Sequence, residues 1–275
     1  MSTKKKSITI RIKGGETLLV PREMVYFVKE LINNDNIRKG YQFDESQGVI
    51  TFTYLGRLLK IKFYEDGLLN GEFASFFGDY EFLNPILGNT VIDIGANIAD
   101  SSIWFAISGA SKIIALEPYR YSYNMAIKNL EMNNLNDIVI LLNAGYGRDG
   151  EIEVKDTIAN IGSVLEEFKG GLKVPLLSLS SILNKYSRII CGQLLLKMDC
   201  EGCEYNILAE DEDTIKKFSR IVIEYHKGCD KIEEKLIGCN FDVVHRHTKM
   251  QLDKETNQYI AKGYLFAKNK NNIIT

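Results

Sequence analysis

Short apolar runs alternate with helix-compatible segments over the last two-thirds of the chain. From residue 89 onward the apolar runs are TVIDIG, KIIALE, DIVILLN, QLLLKMD, RIVIEYH, FDVVHRH and YIAKGYLFAKN. Runs that are apolar with little alternation are typical of strands buried on both faces. The pattern therefore predicts an α/β fold, with a seven-stranded, mostly parallel sheet covered by helices on both faces. The last two runs are too close together for a crossover helix, so they are expected to pair antiparallel.

The first 84 residues follow a different pattern. ITIRI and the two runs in VITFTYLGRLLKIKF alternate between apolar and polar residues, which predicts antiparallel strands with a hairpin turn at Leu55-Gly56. Between them, PREMVYFVKELINN predicts a helix that begins at Pro21. We expect residues 1–84 to form a small N-terminal α+β extension that could cap an acceptor pocket, and residues 85–270 to form the main domain.

Composition and charge narrow the classes of partner. The 275 residues are 45% hydrophobic and 25% charged, and the net charge is −2. The chain therefore lacks the excess positive charge that would indicate a protein that binds nucleic acid. No apolar run is long enough to span a membrane, and the first residues lack the apolar segment of a secretory signal. We therefore expect a cytoplasmic protein without a membrane span. The oligomeric state cannot be predicted from these features.

The chain contains five cysteines, an odd number that argues against a disulfide framework. Cys200 and Cys203 form a C-x-x-C motif that His226 and Cys229 could complete as a zinc site. Small buried thiols are common in such cores, however, and we expect these cysteines to be buried thiols instead.

The segment from Thr90 to Asn97, TVIDIGAN, ends a predicted buried strand in a turn without bulky side chains. Gly95 and Ala96 form this turn, and the following IADSSIWFAISG predicts a helix that ends at Gly109. Backbone N–H groups at such a helix start are unpaired and carry the positive end of the helix dipole. The turn is therefore predicted to lie beneath a bound anionic group.

Glu117 ends the second predicted strand, 22 residues after Gly95. An acidic residue about 20 positions beyond the glycine turn hydrogen-bonds ribose hydroxyls in doubly wound sheets. The turn sequence G-A-N-I-A lacks the G-x-G-x-x-G pattern of a dinucleotide site. A nucleoside that carries an amino-acid group, as S-adenosylmethionine does, is therefore favoured over a pyrophosphate.

Polar side chains recur where the predicted strands end. Because the sites of open α/β sheets lie at the carboxyl ends of the strands, these residues are candidates for function. They are Asp93, Glu117, Asn143, Asp199 with Glu201, and Glu224 with His226. If the last two pairs lie on neighbouring strands, their four ionisable groups converge near the cofactor, and Glu204 could join them from the following helix.

Four segments resemble successive motifs of the FkbM family of S-adenosylmethionine-dependent methyltransferases. They are DIGAN, EP at Glu117-Pro118, KMDCEGCE and IEYH, and the resemblance covers about residues 72–268. It implies the class I methyltransferase fold, a Rossmann-like sheet with one antiparallel strand. Ala99 stands where the family usually has a second glycine, and Ser181 replaces a frequent acid. We expect Ala99 to be tolerated because its position should not require a positive φ.

The resemblance implies transfer of a methyl group from S-adenosyl-L-methionine to a hydroxyl of a sugar, glycan or related small molecule. An alcohol must lose its proton near the transition state, so a base is needed. The predicted catalytic residues are Asp199, Glu201, Glu224 and His226. The predicted cofactor-binding residues are Asp93, Gly95, Ala96, Asn97, Asp100, Ser101, Glu117, Pro118, Asn143 and Ala144.

Three alternatives stay open at this stage. Carboxylate-rich sites suit Mg²⁺, so a divalent metal could activate the hydroxyl, although no residue is assigned as a metal ligand. A NAD-dependent oxidoreductase would use the same Glu117 for its ribose. A catalytically inactive nucleoside-binding module would keep the fold without turnover.

Overall fold

The arrangement of strands and helices was obtained from a computed structural model. The structure describes residues 7–11, 17–21, 42–44, 46–62, 78, 80–155, 165, 167–252 and 259–271. The helix predicted from PREMVYFVKELINN lies outside the described residues, apart from Pro21, which is the last residue of a strand. Pro21 therefore does not begin a helix.

The described residues contain fifteen strands, five α-helices and two 3₁₀ helices. The strands are β1 (Ser7–Arg11), β2 (Thr17–Pro21), β3 (Gln42–Asp44), β4 (Val49–Tyr54), β5 (Arg57–Lys62), β6 (Thr90–Ile94), β7 (Lys112–Leu116), β8 (Val139–Leu142), β9 (Gly145–Tyr146), β10 (Gly150–Val154), β11 (Leu172–Leu177), β12 (Leu194–Met198), β13 (Phe218–Tyr225), β14 (Phe241–Leu252) and β15 (Tyr259–Asn269). The α-helices are α1 (Asp100–Ile107), α2 (Arg120–Met132), α3 (Leu179–Lys185), α4 (Glu212–Ile215) and α5 (Asp230–Gly238). The 3₁₀ helices are Glu81–Leu83 and Cys203–Ala209. None of the described helices is long and apolar enough to cross a membrane.

Seven strands form the main sheet in the order β14-β15-β13-β12-β6-β7-β8. Strand β15 is antiparallel to both of its neighbours, and the remaining pairings are parallel. The seven-stranded, mostly parallel sheet and the antiparallel pairing of its last two strands, both predicted from the apolar runs, are confirmed. A smaller three-stranded sheet, β10-β11-β9, occupies the part of residues 145–177 that the structure describes, for which the sequence pattern made no prediction.

The two faces of the main sheet are covered by different helices. Consecutive residues of β6 face opposite sides of the sheet: Val91 and Ile92 are both fully buried but belong to two separate hydrophobic clusters. Helices α1 and α2 pack in the cluster of Val91, whereas α3 and α5 pack in the cluster of Ile92. This period-two division is what a parallel sheet with helices on both faces requires.

The predicted hairpin of β4 and β5, with its turn at Leu55-Gly56, is also confirmed. Its buried residues Phe52 and Ile61 share one hydrophobic cluster with Trp104 of α1. Trp104 Nε1 also donates to the Tyr54 hydroxyl over 3.2 Å. The hairpin is thus packed against the main domain, and the boundary at residue 84 stays a prediction.

Two asparagines of α2 pair with the edge of β5 as another strand would. The Asn129 side chain accepts from Lys62 N at 2.6 Å and donates to Lys62 O at 3.1 Å. Asn133 makes the same exchange with the backbone of Lys60, at 2.9 and 2.6 Å. Asn129 is fully buried and also donates to Ile98 O at 2.8 Å, next to the helix start of α1. It therefore joins the hairpin to the loop that begins the candidate site.

Substitution of Asn129 tests how much this pairing contributes to the free energy of unfolding. We expect Asn129→Ala to lower the free energy of unfolding by about 2–4 kcal/mol, because buried backbone groups lose their partners. Asn133→Ala is the matched control and should cost less than about 1 kcal/mol, since water can replace its bonds at a partly exposed position. Urea denaturation of both variants measures the difference. Equal losses would show that burial does not decide the cost.

Candidate active site

The polar residues predicted at the strand ends lie together at one edge of the main sheet. Strands β7, β6, β12 and β13 are adjacent and parallel, so their carboxyl ends meet there. Lys197 and Asp93 occupy the same register on β12 and β6. Both continue the alternation of Leu195 and Val91, and therefore face the side of the sheet that α1 covers.

A buried ion pair lies beneath this edge. Lys197 Nζ is 3.0 Å from Asp93 Oδ1, and the two side chains are 2% and 0% exposed. Lys197 Nζ also donates to Gly95 O at 2.7 Å and to Ile94 O at 3.3 Å. Burial lowers the pKa of Lys197, but the charges of Asp93 and Asp199 outweigh it and the net shift is upward. The ammonium therefore remains charged and holds the backbone of the glycine turn.

The second oxygen of Asp93 holds the start of α1. Asp93 Oδ2 accepts from the hydroxyls of Ser101 and Ser102, at 2.7 and 2.6 Å. All three side chains are buried. Asp93 and Ser101 were both predicted to bind the cofactor, and in the structure they bind each other beneath the turn. A direct contact of either residue with the cofactor stays a prediction.

The turn after β6 needs glycine for two reasons. Gly95 has a φ of +79°, and a Cβ at this position would lie 1.8 Å from Asp199 O. The glycine turn therefore touches the loop that carries Asp199, one of the predicted catalytic residues.

Ala99 has a φ of +68°, so the expectation that its position does not require a positive φ is wrong. A left-handed backbone conformation is unfavourable for a residue that has a side chain, because its Cβ lies too close to the following carbonyl oxygen.

The amides of the turn are not the open anion site that the sequence pattern predicted. Gly95 N and Ala96 N both donate to Leu116 O, at 3.1 and 2.9 Å. Asn97 N donates to Glu117 Oε2 at 2.9 Å. That expectation is wrong for these three groups because the end of β7 and its terminal carboxylate take them up.

Glu117 is held in place by backbone donors. Its other oxygen accepts from Tyr119 N at 2.9 Å, and burial raises the pKa of the carboxyl to about 7. Asn143 donates to the carbonyls of Glu117 and Pro118, both at 2.9 Å, and so fixes the end of β7. Glu117 makes no ion pair within the described part of the chain. Since a carboxylate has about four acceptor positions, both oxygens can still accept a hydroxyl.

His226 lies between two carboxylates that the sequence placed near it. Its Nε2 is 3.0 Å from Glu201 Oε2, and its Nδ1 is 3.0 Å from Glu204 Oε1. Glu204 is fully buried and also accepts from the backbone N–H of Gly202 at 2.7 Å. Burial lowers the pKa of His226, but these two acids outweigh it and raise it to about 10. At neutral pH the ring is an imidazolium, which has no lone pair to accept a proton.

Asp199 and Glu224 form a second pair beside His226. One ligand atom from each of these three residues lies within 4.8 Å of the other two. Burial, and then the charge of Asp199, raise the pKa of Glu224 far above its ordinary value. Glu224 therefore holds a proton at neutral pH, because two carboxylates in contact do not both ionise.

Two tyrosines complete this pair, and the sequence analysis assigned no role to either. The Tyr80 hydroxyl donates to Asp199 Oδ2 at 3.2 Å, and the Tyr264 hydroxyl donates to Glu224 Oε2 at 3.1 Å. The Tyr80 ring also lies 5.7 Å from the Lys197 ammonium. Tyr80 belongs to a stretch before β6 that is rich in Phe and Tyr, and an aromatic stretch next to a sheet is more often packing than part of an acceptor pocket.

The distances among Asp199, Glu224 and His226 would suit a divalent ion. Both ring nitrogens of His226 are already paired with Glu201 and Glu204, however, so His226 is a poor ligand. Two carboxylates remain, and a metal at this position stays the weaker alternative.

Cys200 and Cys203 form a disulfide, so the expectation that they are buried thiols is wrong. The disulfide closes a short ring around Glu201 and Gly202, which have φ values of +53° and +118°. The sequence pattern gave no reason to expect this bond in a protein predicted to be cytoplasmic. Glu201, within this ring, is the residue whose carboxylate contacts His226 Nε2.

Comparisons with known proteins identify the family of this chain. Residues 93–260 match the family model described as the methyltransferase FkbM domain. No curated protein matches the sequence. Among solved structures, M. jannaschii TYW2 in complex with AdoMet is 15% identical, with 81% of this chain and 86% of that chain covered and a TM-score of 0.43. The O-methyltransferase from Bacillus cereus in complex with SAH is 13% identical, with 73% and 80% covered and a TM-score of 0.38.

Substitution of Gly95 should separate steric contact from backbone strain. Gly88 has a similar φ of +78°, and a Cβ at this position would have no atom within 4 Å, so Gly88→Ala is the matched control. We expect Gly88→Ala to cost about 1 kcal/mol of unfolding free energy, from the left-handed backbone alone. Gly95→Ala should cost at least about 2 kcal/mol more, because the Asp199 backbone must move. Similar losses in urea denaturation would contradict the close contact.

The charged state of His226 predicts how stability depends on pH. The pKa of His226 is raised from 6.5 to about 10 on folding, so its stabilising contribution is complete below pH 6.5 and is lost as the pH rises through about 10. We expect the stability difference between the wild type and His226→Gln to shrink across this window. Urea unfolding at a series of pH values measures it. A difference that stays constant, or imidazole NMR signals that titrate near neutral pH, would show that the ring is not held as a cation.

Proposed function

Because the chain belongs to the FkbM family of methyltransferases, we propose that it transfers the methyl group of S-adenosylmethionine to a hydroxyl of a sugar, glycan or related small molecule. The observation that carries this proposal is the position of the Asp199 and Glu224 carboxyl pair. The backbone of Asp199, one member of this pair, lies against Gly95 of the glycine turn, and its side chain is grouped with those of Glu224 and His226. A group that can accept a proton is thus adjacent to the turn at which the cofactor is expected to bind.

Glu117 and the turn form the cofactor half of the proposed site. The carboxylate of Glu117 is fixed by two backbone amides, which orients it before any ligand is present. Ribose hydroxyls would donate to its remaining acceptor positions and favour its ionised form. Four of the other predicted contacts, Gly95, Ala96, Asn97 and Asp100, lie in the turn after β6 or at the first residue of α1. S-adenosylmethionine supplies the electrophilic methyl group.

Asp199 is the proposed base. Transfer of a methyl group from a sulfonium requires the acceptor oxygen in line and near contact, and positioning is the main contribution of such a site. The hydroxyl must also lose its proton. The raised pKa of Glu224 keeps a proton on that residue at neutral pH, and its neighbour Asp199 is the group proposed to accept the proton of the acceptor. The Tyr80 hydroxyl donates to Asp199 Oδ2 and helps to hold this side chain in position.

Glu201, Glu204 and His226 are proposed to support this step without exchanging protons with the acceptor. The imidazolium balances part of the negative charge at this edge of the sheet. It also joins the turn after β12 to the end of β13, through Glu201 and Glu204. The relative positions of Asp199 and Glu224 therefore depend on this bridge.

Oxygen is favoured over nitrogen as the acceptor atom. Amino-methyltransferases that act on adenine or glutamine commonly carry an N-P-P-Y-like turn after the fourth strand of the sheet. Here the fourth strand is β12, and the turn that follows it reads DCEG. Asn84-Pro85 precedes β6 and lies before the first strand of the main sheet. The carboxylate-rich edge also disfavours a nucleic acid as the acceptor.

Substitutions at Asp199 and Glu117 should separate turnover from cofactor binding. We expect Asp199→Asn to reduce methyl transfer at least about 100-fold, because a neutral amide of the same shape cannot accept the proton. Its affinity for S-adenosylmethionine should stay within a few fold. Glu117→Gln should instead weaken S-adenosylmethionine binding about tenfold or more, because the ribose hydroxyls lose a charged acceptor.

Calorimetry measures cofactor binding, and transfer of a labelled methyl group to hydroxyl-bearing cell extracts measures turnover. Glu131→Gln, an exposed acid on α2, is the control and should change neither quantity. Loss of cofactor binding in Asp199→Asn would contradict the proposed division. Binding of NAD in place of S-adenosylmethionine, or a wild-type protein that binds the cofactor and methylates no extract, would contradict the proposed reaction.

A further inference from the structure

A second cluster of ligand-type side chains lies outside the candidate active site. Cys229 precedes α5, Glu233 is in the first turns of that helix, and His245 is on β14. Cys229 Sγ is 3.6 Å from His245 Nδ1, and Glu233 Oε2 is 3.1 Å from His245 Nε2. None of these residues has a role in the proposed methyl transfer.

The separation of sulfur and nitrogen fits a tetrahedral metal ion. Zinc binds cysteine sulfur at about 2.3 Å and histidine nitrogen at about 2.0–2.1 Å, so tetrahedral geometry separates these two atoms by about 3.6 Å. The observed Sγ to Nδ1 distance is 3.6 Å. The two atoms are therefore already placed as two ligands of one ion would be.

Glu233 supplies a third ligand from the start of α5. It follows Cys229 by four residues, and its backbone N–H donates to Cys229 O at 2.8 Å, so the two residues are neighbours across the first turn. One ligand atom from each of Cys229, Glu233 and His245 lies within 4.8 Å of the other two. Glu233 Oε2 contacts Nε2, the other nitrogen of the ring, so in the proposed site its side chain, which is 33% exposed, would rotate toward an ion bound at Nδ1.

We propose that Cys229, Glu233 and His245 form a zinc site that joins the start of α5 to β14. Sulfur and imidazole ligands select zinc over magnesium or calcium, which prefer oxygen. His245 is 34% exposed, so an ion can enter from solvent and a water can complete the tetrahedron. The site adjoins the register shift of β14 between His245 and Thr248, where strand pairing alone holds the hairpin less firmly.

The same three residues could instead be read as a nucleophile with its base and orienting acid. In such a triad the thiol is the nucleophile, the imidazole is the base, and the carboxylate orients the imidazole. The Cys229 side chain points into the hydrophobic cluster of α5 and is only 8% exposed, so a substrate cannot reach its sulfur. A small ion that enters past His245 needs no such access.

Metal content of the whole protein tests the proposal. Protein stripped of metal with a chelator is handled under argon without added reductant, so that the Cys200 and Cys203 disulfide persists. It is then loaded with Zn²⁺ or Co²⁺ and passed over a desalting column. We expect one zinc per chain by elemental analysis, and a thiolate-to-cobalt charge-transfer band. Cys229→Ser and His245→Ala should each weaken binding at least tenfold and abolish the band.

Two controls match these variants. Cys239→Ser removes the other buried free cysteine, at the opposite end of α5, and Glu234→Gln neutralises the exposed neighbour of Glu233. Both should bind zinc as the wild type does. Circular dichroism checks the fold of each variant, and the cobalt band reports thiolate ligation in any variant that stays folded.

Three results would overturn the proposal. One is a wild-type protein that retains no zinc, which would show that Cys229, His245 and Glu233 only form hydrogen bonds with one another. Another is equal binding by the wild type and a folded Cys229→Ser variant. The last is metal that disappears in Asp199→Asn and persists in Cys229→Ser, which would place the ion among the active-site carboxylates. None of these measurements depends on methyl transfer.

Discussion

The ion pair between Lys197 and Asp93 is the interaction on which the rest of the site depends. It is almost fully buried, so each charge lacks water and must be stabilised by the other. Lys197 also binds the carbonyls of Ile94 and Gly95, while Asp93 binds the two serines that begin α1. One pair of side chains thereby fixes the strand end, the glycine turn and the helix start. Loss of either partner would leave a buried charge without compensation, at a typical cost of about 3–5 kcal/mol.

The carboxyl groups above this pair have different neighbours. Glu204 is fully buried and contacts the imidazole ring of His226 and the backbone N–H of Gly202. Glu224 is also mostly buried but faces Asp199, and this second negative charge favours its protonated form. Asp199 is the member of this pair whose backbone lies next to the glycine turn. The assignment of a base thus follows from which neighbour each acid has, and it excludes His226 because that ring already holds two acids.

The sequence predicted the parts of this structure that depend on periodic patterns. Strands β6, β7, β12 and β13 and their polar ends were identified because apolar runs and strand-end positions are local properties. Tyr80 and the fixed state of His226 could not be predicted, since they depend on which distant side chains meet after folding. The prediction that the amides of the turn are open to an anion was wrong because acceptors at the end of β7 bind them, and no local sequence pattern reveals that contact. Ala99 and the disulfide at Cys200 were misjudged because backbone dihedrals and thiol proximity are not encoded in residue type alone.

The N-terminal region is connected to the site by more than packing. Asn129 joins the β4–β5 hairpin to the carbonyl of Ile98, within the loop that follows the glycine turn. Tyr80, from the segment before β6, reaches the carboxylate of Asp199 and lies over the ammonium of Lys197. A displacement of this region would therefore change the environment of the proposed base directly. Through Tyr80, the residues directly before β6 thus contact both the proposed base and the buried ion pair beneath it.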